Sequence, residues 1–137
     1  MTRTELQQLA ELRIDEAGIL LANRAWDGAY YLAGYAVECA LKACIAKLTQ
    51  AEDFPDKKHA DKSWKHDFNE LLGAARLESE LKAETVRDAV FKENWNTVRQ
   101  WSEQSRYQRV SRSESEKLIV AITVPIARVL PWIKQRW

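Results

Sequence analysis

One carboxylate, Glu38, stands in the middle of a run from Tyr30 to Ala43 that is apolar on almost every side. An ionised carboxyl group in such surroundings needs a partner, because a charge away from water is costly unless it is paired. Buried pairs are also where working chemistry concentrates. The sequence offers two partners. Arg106, in Trp101-Ser102-Glu103-Gln104-Ser105-Arg106-Tyr107, carries a guanidinium able to hold a phosphate while the carboxylate orients it. Lys42 lies one helical turn beyond Glu38 and would make a bridge that only sets helix register.

His66 is the second chemically able residue. An imidazole changes charge near neutrality and suits general acid–base work. Its place directly before Asp67, at a predicted helix start, suits packing or capping equally well. Asp56, His59, Asp61 and His66 together lack the spacing of a tight metal site, so no metal or other cofactor is expected. Arg99, Arg106, Arg109 and Arg112 cluster near Trp101 and Tyr107, a composition found at RNA contacts. Glu103, Glu114 and Glu116 dilute that charge, and arginines near a helix C-terminus also complement its dipole. There is no Gly-rich phosphate loop and no Gly-x-Ser-x-Gly elbow.

These residues need a scaffold, and the composition says which kind. Only four glycines and three prolines occur in 137 residues, which argues for long helices and against a sandwich or barrel. The length suits one domain, residues 1–137. A formal net charge of +1 excludes a strong overall field toward nucleic acid or an acidic membrane. No apolar run approaches the ~20 residues of a membrane span, and the polar start Met1 to Gln8 is unlike a signal peptide. Cys39 and Cys44 point about 140° apart on one helix, so they cannot pair with each other. As buried free thiols they fit a reducing cytoplasm.

The predicted elements follow from period and caps. A first helix spans about Thr4 to Asn23, with Thr2 and Glu5 at capping-box spacing; Leu6, Leu9, Leu12 (or Arg13) and Glu16 share one side, and Ile14, Ala17, Leu20 and Leu21 extend the stripe. Asp27 is placed to cap a second helix reaching Leu48. Gln50 to Lys65 reads as the one long loop. A short helix from Asp67 to Ala75 turns Phe68, Leu71 and Leu72 inward. A fourth segment runs from Ser79 to Tyr107, with a break at Asn94 and with Val86 and Val90 inside. The last helix starts at Ser113, capped with Glu116, and is bent by Pro125 and Pro131. Ile122, Ile126, Val129 and Ile133 lie on its apolar face. Trp95 and Trp101 belong in the core, while Trp132 and Trp137 are harder to bury and suit an interface.

With the helices placed, Tyr31-Leu32-Ala33-Gly34-Tyr35-Ala36-Val37-Glu38-Cys39-Ala40-Leu41-Lys42-Ala43 resembles the second helix of HEPN-domain proteins. His66-Asp67-Phe68-Asn69-Glu70-Leu71-Leu72 is similar to that family's His-Asp-Leu stretch. Trp95, Val98, Trp101 and Ser105-Arg106-Tyr107 are similar to its tryptophan-rich helix ending in Arg-Tyr. The resemblance implies an all-α, antiparallel up-down bundle of about five helices, frequently a homodimer. It further implies a prokaryotic toxin–antitoxin or defence setting, beside a small nucleotidyltransferase partner. RNA-cleaving members carry an Arg, four to six residues, and then a His. Here neither His59 nor His66 follows such an Arg, and the corresponding helix offers Arg99 with Ser105 or Arg106.

The expectation is therefore a binding or regulatory module without the nuclease motif. The alternative is a metal-independent ribonuclease, or an RNA- or nucleotide-binding protein, using a variant site of Arg106, Glu38 and His66. Arg99, Arg106, Tyr107 and Arg109 would then make the nucleic-acid contacts.

Overall fold

Thr2 and Glu5 form the capping box their spacing predicts. In the computed structural model, which describes residues 1–49, 53–54, 56–123 and 127–137, Thr2 Oγ1 accepts from the Glu5 amide at 3.2 Å and the Glu5 carboxylate accepts from the Thr2 amide at 2.7 Å. Two amides that a helix start leaves orphaned are thereby satisfied. Helix α1 runs Arg3–Ala22 and buries Ala10, Ile14 and Ala17 along one face. Leu12, expected on the inner stripe, lies outside that arc and is half-exposed. The Asn23 carboxamide donates to the Ile19 carbonyl at 2.8 Å, and Arg24 turns the chain in a left-handed conformation, φ 62°.

Helix α2 spans Trp26–Leu48 without a side-chain cap. Asp27, expected as that cap, sits inside the first turn and is used elsewhere. Its carboxylate accepts from the Val110 amide at 2.7 Å and meets Arg109 at 2.8 Å. The expected long loop contains a helix, α3, Lys57–Ser63. Asp56 is the reason: its carboxylate accepts from the Lys58 and His59 amides, a cap that the polar composition of the stretch obscured. Gln50, Ala51, Glu52 and Pro55 of that stretch lie outside the described residues. Helix α4, Phe68–Ala74, is capped by Asp67 and buries Phe68, Leu71 and Leu72, as expected.

The fourth segment divides at Asp88, not Asn94. Helix α5 (Glu78–Arg87) ends there and α6 (Ala89–Val98) begins there, with the Asp88 carboxylate accepting from the Val90 and Phe91 amides at 2.9 and 3.1 Å. Asn94 is instead buried within α6; it donates to the Ala127 carbonyl and accepts from Arg128 at 2.9 Å. Val86 and Val90, expected inside, flank the break and are exposed. A 3-10 helix follows at Glu103–Tyr107. Helix α7 is Arg112–Thr123, and its capping box pairs Ser111 with Glu114, two residues earlier than Ser113 with Glu116. Helix α8 is Val129–Lys134; Pro131 lies in its first turn, where a missing amide costs nothing. Pro125 and Ile126 lie outside the described residues.

The described residues thus form eight α-helices, where about five were expected, and no strand. Helix α2 packs against α1, α4, α7, α8 and the 3-10 helix, so it is central, and its small residues let those neighbours close on it. Buried apolar side chains from seven of the eight α-helices join one cluster. Trp132 lies in that cluster against Phe91, ring centroids 5.6 Å apart, which corrects its expected exposure; Trp137 is partly buried against it. The exposed indole is Trp64, at 81%. No helix is long and apolar enough to cross a membrane.

Candidate functional site

Glu38 is 2% exposed, as its apolar surroundings require. Its Oε1 accepts from Lys42 Nζ at 3.0 Å and stands 2.8 Å from His66 Nδ1. The Lys42 contact is the within-helix bridge open from the sequence, made across one turn of α2. His66 comes from the turn before α4, where the Asp67 cap holds the backbone in place. Its other ring nitrogen, Nε2, lies 3.2 Å from the Glu103 carboxylate at the start of the 3-10 helix. Carboxylates only accept, so the ring nitrogen facing Glu38 donates, and the Glu103 contact is an electrostatic approach without hydrogen-bond geometry. One imidazole thereby ties α2, α4 and the 3-10 helix together.

The expected pair of Glu38 with Arg106 is not formed. The 3-10 helix buries Ser105, and the tight turn then directs the next residue, Arg106, outward. The Arg106 guanidinium lies 4.9 Å from the Tyr107 ring centroid, and both side chains are exposed. One turn before Glu38, the Trp101 indole covers Gly34 and stacks on Phe68 at 5.3 Å and on Tyr31 at 6.1 Å. Trp101 Nε1 and Ser105 Oγ are buried without a hydrogen-bond partner among the described residues.

The four arginines face different surroundings. Arg109 pairs with Asp27 and lines a polar cavity of about 620 Å³ with Tyr30, Gln100 and Lys117. Arg112 pairs with Glu116 and lies over the Trp26 ring. Arg99, at the end of α6, lines a different groove, with Lys82, Lys92 and Trp95. Of the sequence-derived candidates, the structure joins Glu38 to His66 and leaves Arg99, Arg106, Tyr107 and Arg109 apart from them. Glu103, the second partner of His66, carries no sequence signal, since nothing in its spacing ties it to residue 66. Among the described residues no cluster of three His, Cys, Asp or Glu side chains could hold a metal ion.

The two buried thiols of α2 are held in the protonated form by their environment. Burial pushes Cys39 up to about 11, helped by the neighbouring Glu38 charge, and burial pushes Cys44 up to about 11 as well. Neither is a nucleophile near neutral pH, because the thiolate is the reactive form.

An all-helical chain built around one buried central helix is the class the fold shows. The family model of the HEPN domain matches residues 4–124, and the chain belongs to that family. Neither a curated protein nor a solved structure matches it.

Proposed function

We propose that this protein is a HEPN module that binds and regulates a partner and does not cleave RNA. The carrying observation is the charged cluster of Lys42, Glu38, His66 and Glu103. His66 Nδ1 is engaged by Glu38, its Nε2 lies 3.2 Å from Glu103, and the Arg106 side chain is exposed and stands over Tyr107, so the residues do not assemble an Arg–His dyad. Neither histidine follows an Arg at the spacing of the nuclease motif, which agrees with this reading. The chain acts as a single up-down helical domain in the cytoplasm, as a homodimer, in a toxin–antitoxin or defence setting with a nucleotidyltransferase partner. The three-residue turn between α1 and α2 supports the up-down path.

A second reading, a variant-site ribonuclease or RNA-binding protein, draws support from the 2.8 Å approach of His66 to Glu38. The deciding experiment incubates the purified protein with total RNA and with labelled single-stranded RNA, beside folded Arg106→Ala and His66→Ala variants. The expected outcome is no cleavage by any of them. Cleavage by the wild type that either variant loses would replace the binding-module reading with the ribonuclease.

A further inference from the structure

A groove of about 390 Å³ lies along the α5–α6 hairpin, away from Glu38 and His66. Its floor is apolar and buried: Leu72 of α4, Leu81 of α5 and Trp95 of α6. One wall presents Glu78, Lys82 and Thr85, and the other presents Lys92, Asn96 and Arg99. Each set recurs at intervals of four and then three residues, so each lines one helical face. Among the described residues, none of Lys82, Lys92 and Arg99 pairs with a carboxylate, so their charges are left to the groove, whereas Arg13, Arg87, Arg112 and Arg136 are each tied to a glutamate. Three cations face a single carboxylate, Glu78, and the groove therefore carries net positive charge over an apolar floor.

We propose that this groove docks an acidic peptide segment of a partner protein, an apolar side chain seated on Leu72, Leu81 and Trp95 and flanking carboxylates meeting Lys82, Lys92 and Arg99. The inference rests on the partner-binding reading and gives that partner a chemistry. Charge complementarity selects the acidic segment, and an apolar anchor in a desolvated floor supplies the hold that exposed ion pairs do not. The spacing favours a peptide over a phosphate. Lys92 and Arg99 are seven residues apart, about 10 Å along the helix axis, so they address separate carboxylates along a segment and do not converge on one anion. Asn69 and Asn96 also line the groove. Their carboxamides both donate and accept, as a peptide backbone requires, whereas a phosphate needs donors only.

The test is a selection of a random displayed peptide library on the full-length protein, followed by fluorescence anisotropy of the enriched peptides at low and high salt. Lys92→Glu/Arg99→Glu is the comparison. Both side chains are exposed and make no side-chain hydrogen bond among the described residues, and circular dichroism checks that the variant folds. Enrichment of acidic sequences around an apolar residue is expected, with binding that weakens with salt and falls at least about tenfold in the variant. A peptide with Lys in place of its acidic residues should regain affinity for the variant. Selection without acidic enrichment, or acidic peptides bound equally by the variant, would overturn the proposal. Labelled oligouridylate runs in parallel: its binding to wild type and loss in the variant, with no acidic peptide enriched, would make the groove a phosphate site instead. RNA cleavage would overturn the binding-module reading by a separate readout, so the two failures are distinguishable.

Discussion

Gly34 shows how far a single residue sets the site. A Cβ built there would lie 2.2 Å from the Trp101 indole, an impossible approach to a rigid ring. Only glycine lets that indole rest on the backbone of α2 and stack between Tyr31 and Phe68. Gly34→Ala is expected to destabilise the fold by about 3 kcal/mol, because overpacking forces a buried aromatic out of place. The urea midpoint at constant slope measures it, and an unchanged midpoint would mean that Trp101 has room to move. Glu38 was legible one turn away, as a charge in an apolar helix, and Lys42 as its within-helix partner. His66 was legible only as a capable residue; its bond to Glu38 spans 28 positions and follows no local period.

Among elements, aspartate caps decide where the middle of the chain breaks. Asp56, Asp67 and Asp88 each accept backbone amides at a helix start. Asp88 has the most to do, since it stands both after α5 and before α6 and so shapes the hairpin that forms the groove. Asp88→Ala is expected to cost about 1 kcal/mol, and Asp88→Asn to keep most of that, because Asn is an equally good cap. Thermal or urea unfolding of the two variants checks the order; equal losses would show that the carboxylate charge matters more than the cap. Asn94 drew attention as a helix breaker for a sound local reason. A distant carbonyl, Ala127, claims its carboxamide, so the helix passes through it undisturbed.

For the whole molecule, the buried thiols tie stability to alkaline pH. Cys39 and Cys44 are held up to about 11 from an ordinary 9.0, so the folded chain keeps protons that the unfolded chain has begun to lose. The sign follows: their contribution is complete below pH 9 and is lost as the pH rises through about 11. Two units correspond to about 2–3 kcal/mol per thiol. Tyr30 and Tyr35, also pushed up by burial, act in the same direction. The unfolding free energy read from urea curves should therefore fall between pH 8.5 and 10.5 by ~3–4 kcal/mol for the two thiols together, and by about half as much in Cys39→Ala. A flat profile would mean that the thiols are more solvated than their burial indicates.

Much of what depends on neighbours in the chain was determined by the sequence alone, although the caps at Asp56, Asp88 and Ser111 emerged only from the structure. That covers the helical class, the Thr2–Glu5 box, the central apolar helix with its small residues, the inward face of Phe68, Leu71 and Leu72, and the family those stretches resemble. Helical period and capping are rules about residues within a turn of one another, so they can be read along a line. The tertiary structure alone decided which distant groups meet: His66 with both Glu38 and Glu103, Asn94 with Ala127, Asp27 with Arg109, and Trp132 with Phe91. It also turned Arg106 outward and gathered Lys82, Lys92 and Arg99 along one groove. Those outcomes depend on how helices cross and on which side of a turn a residue falls, and residue spacing carries neither.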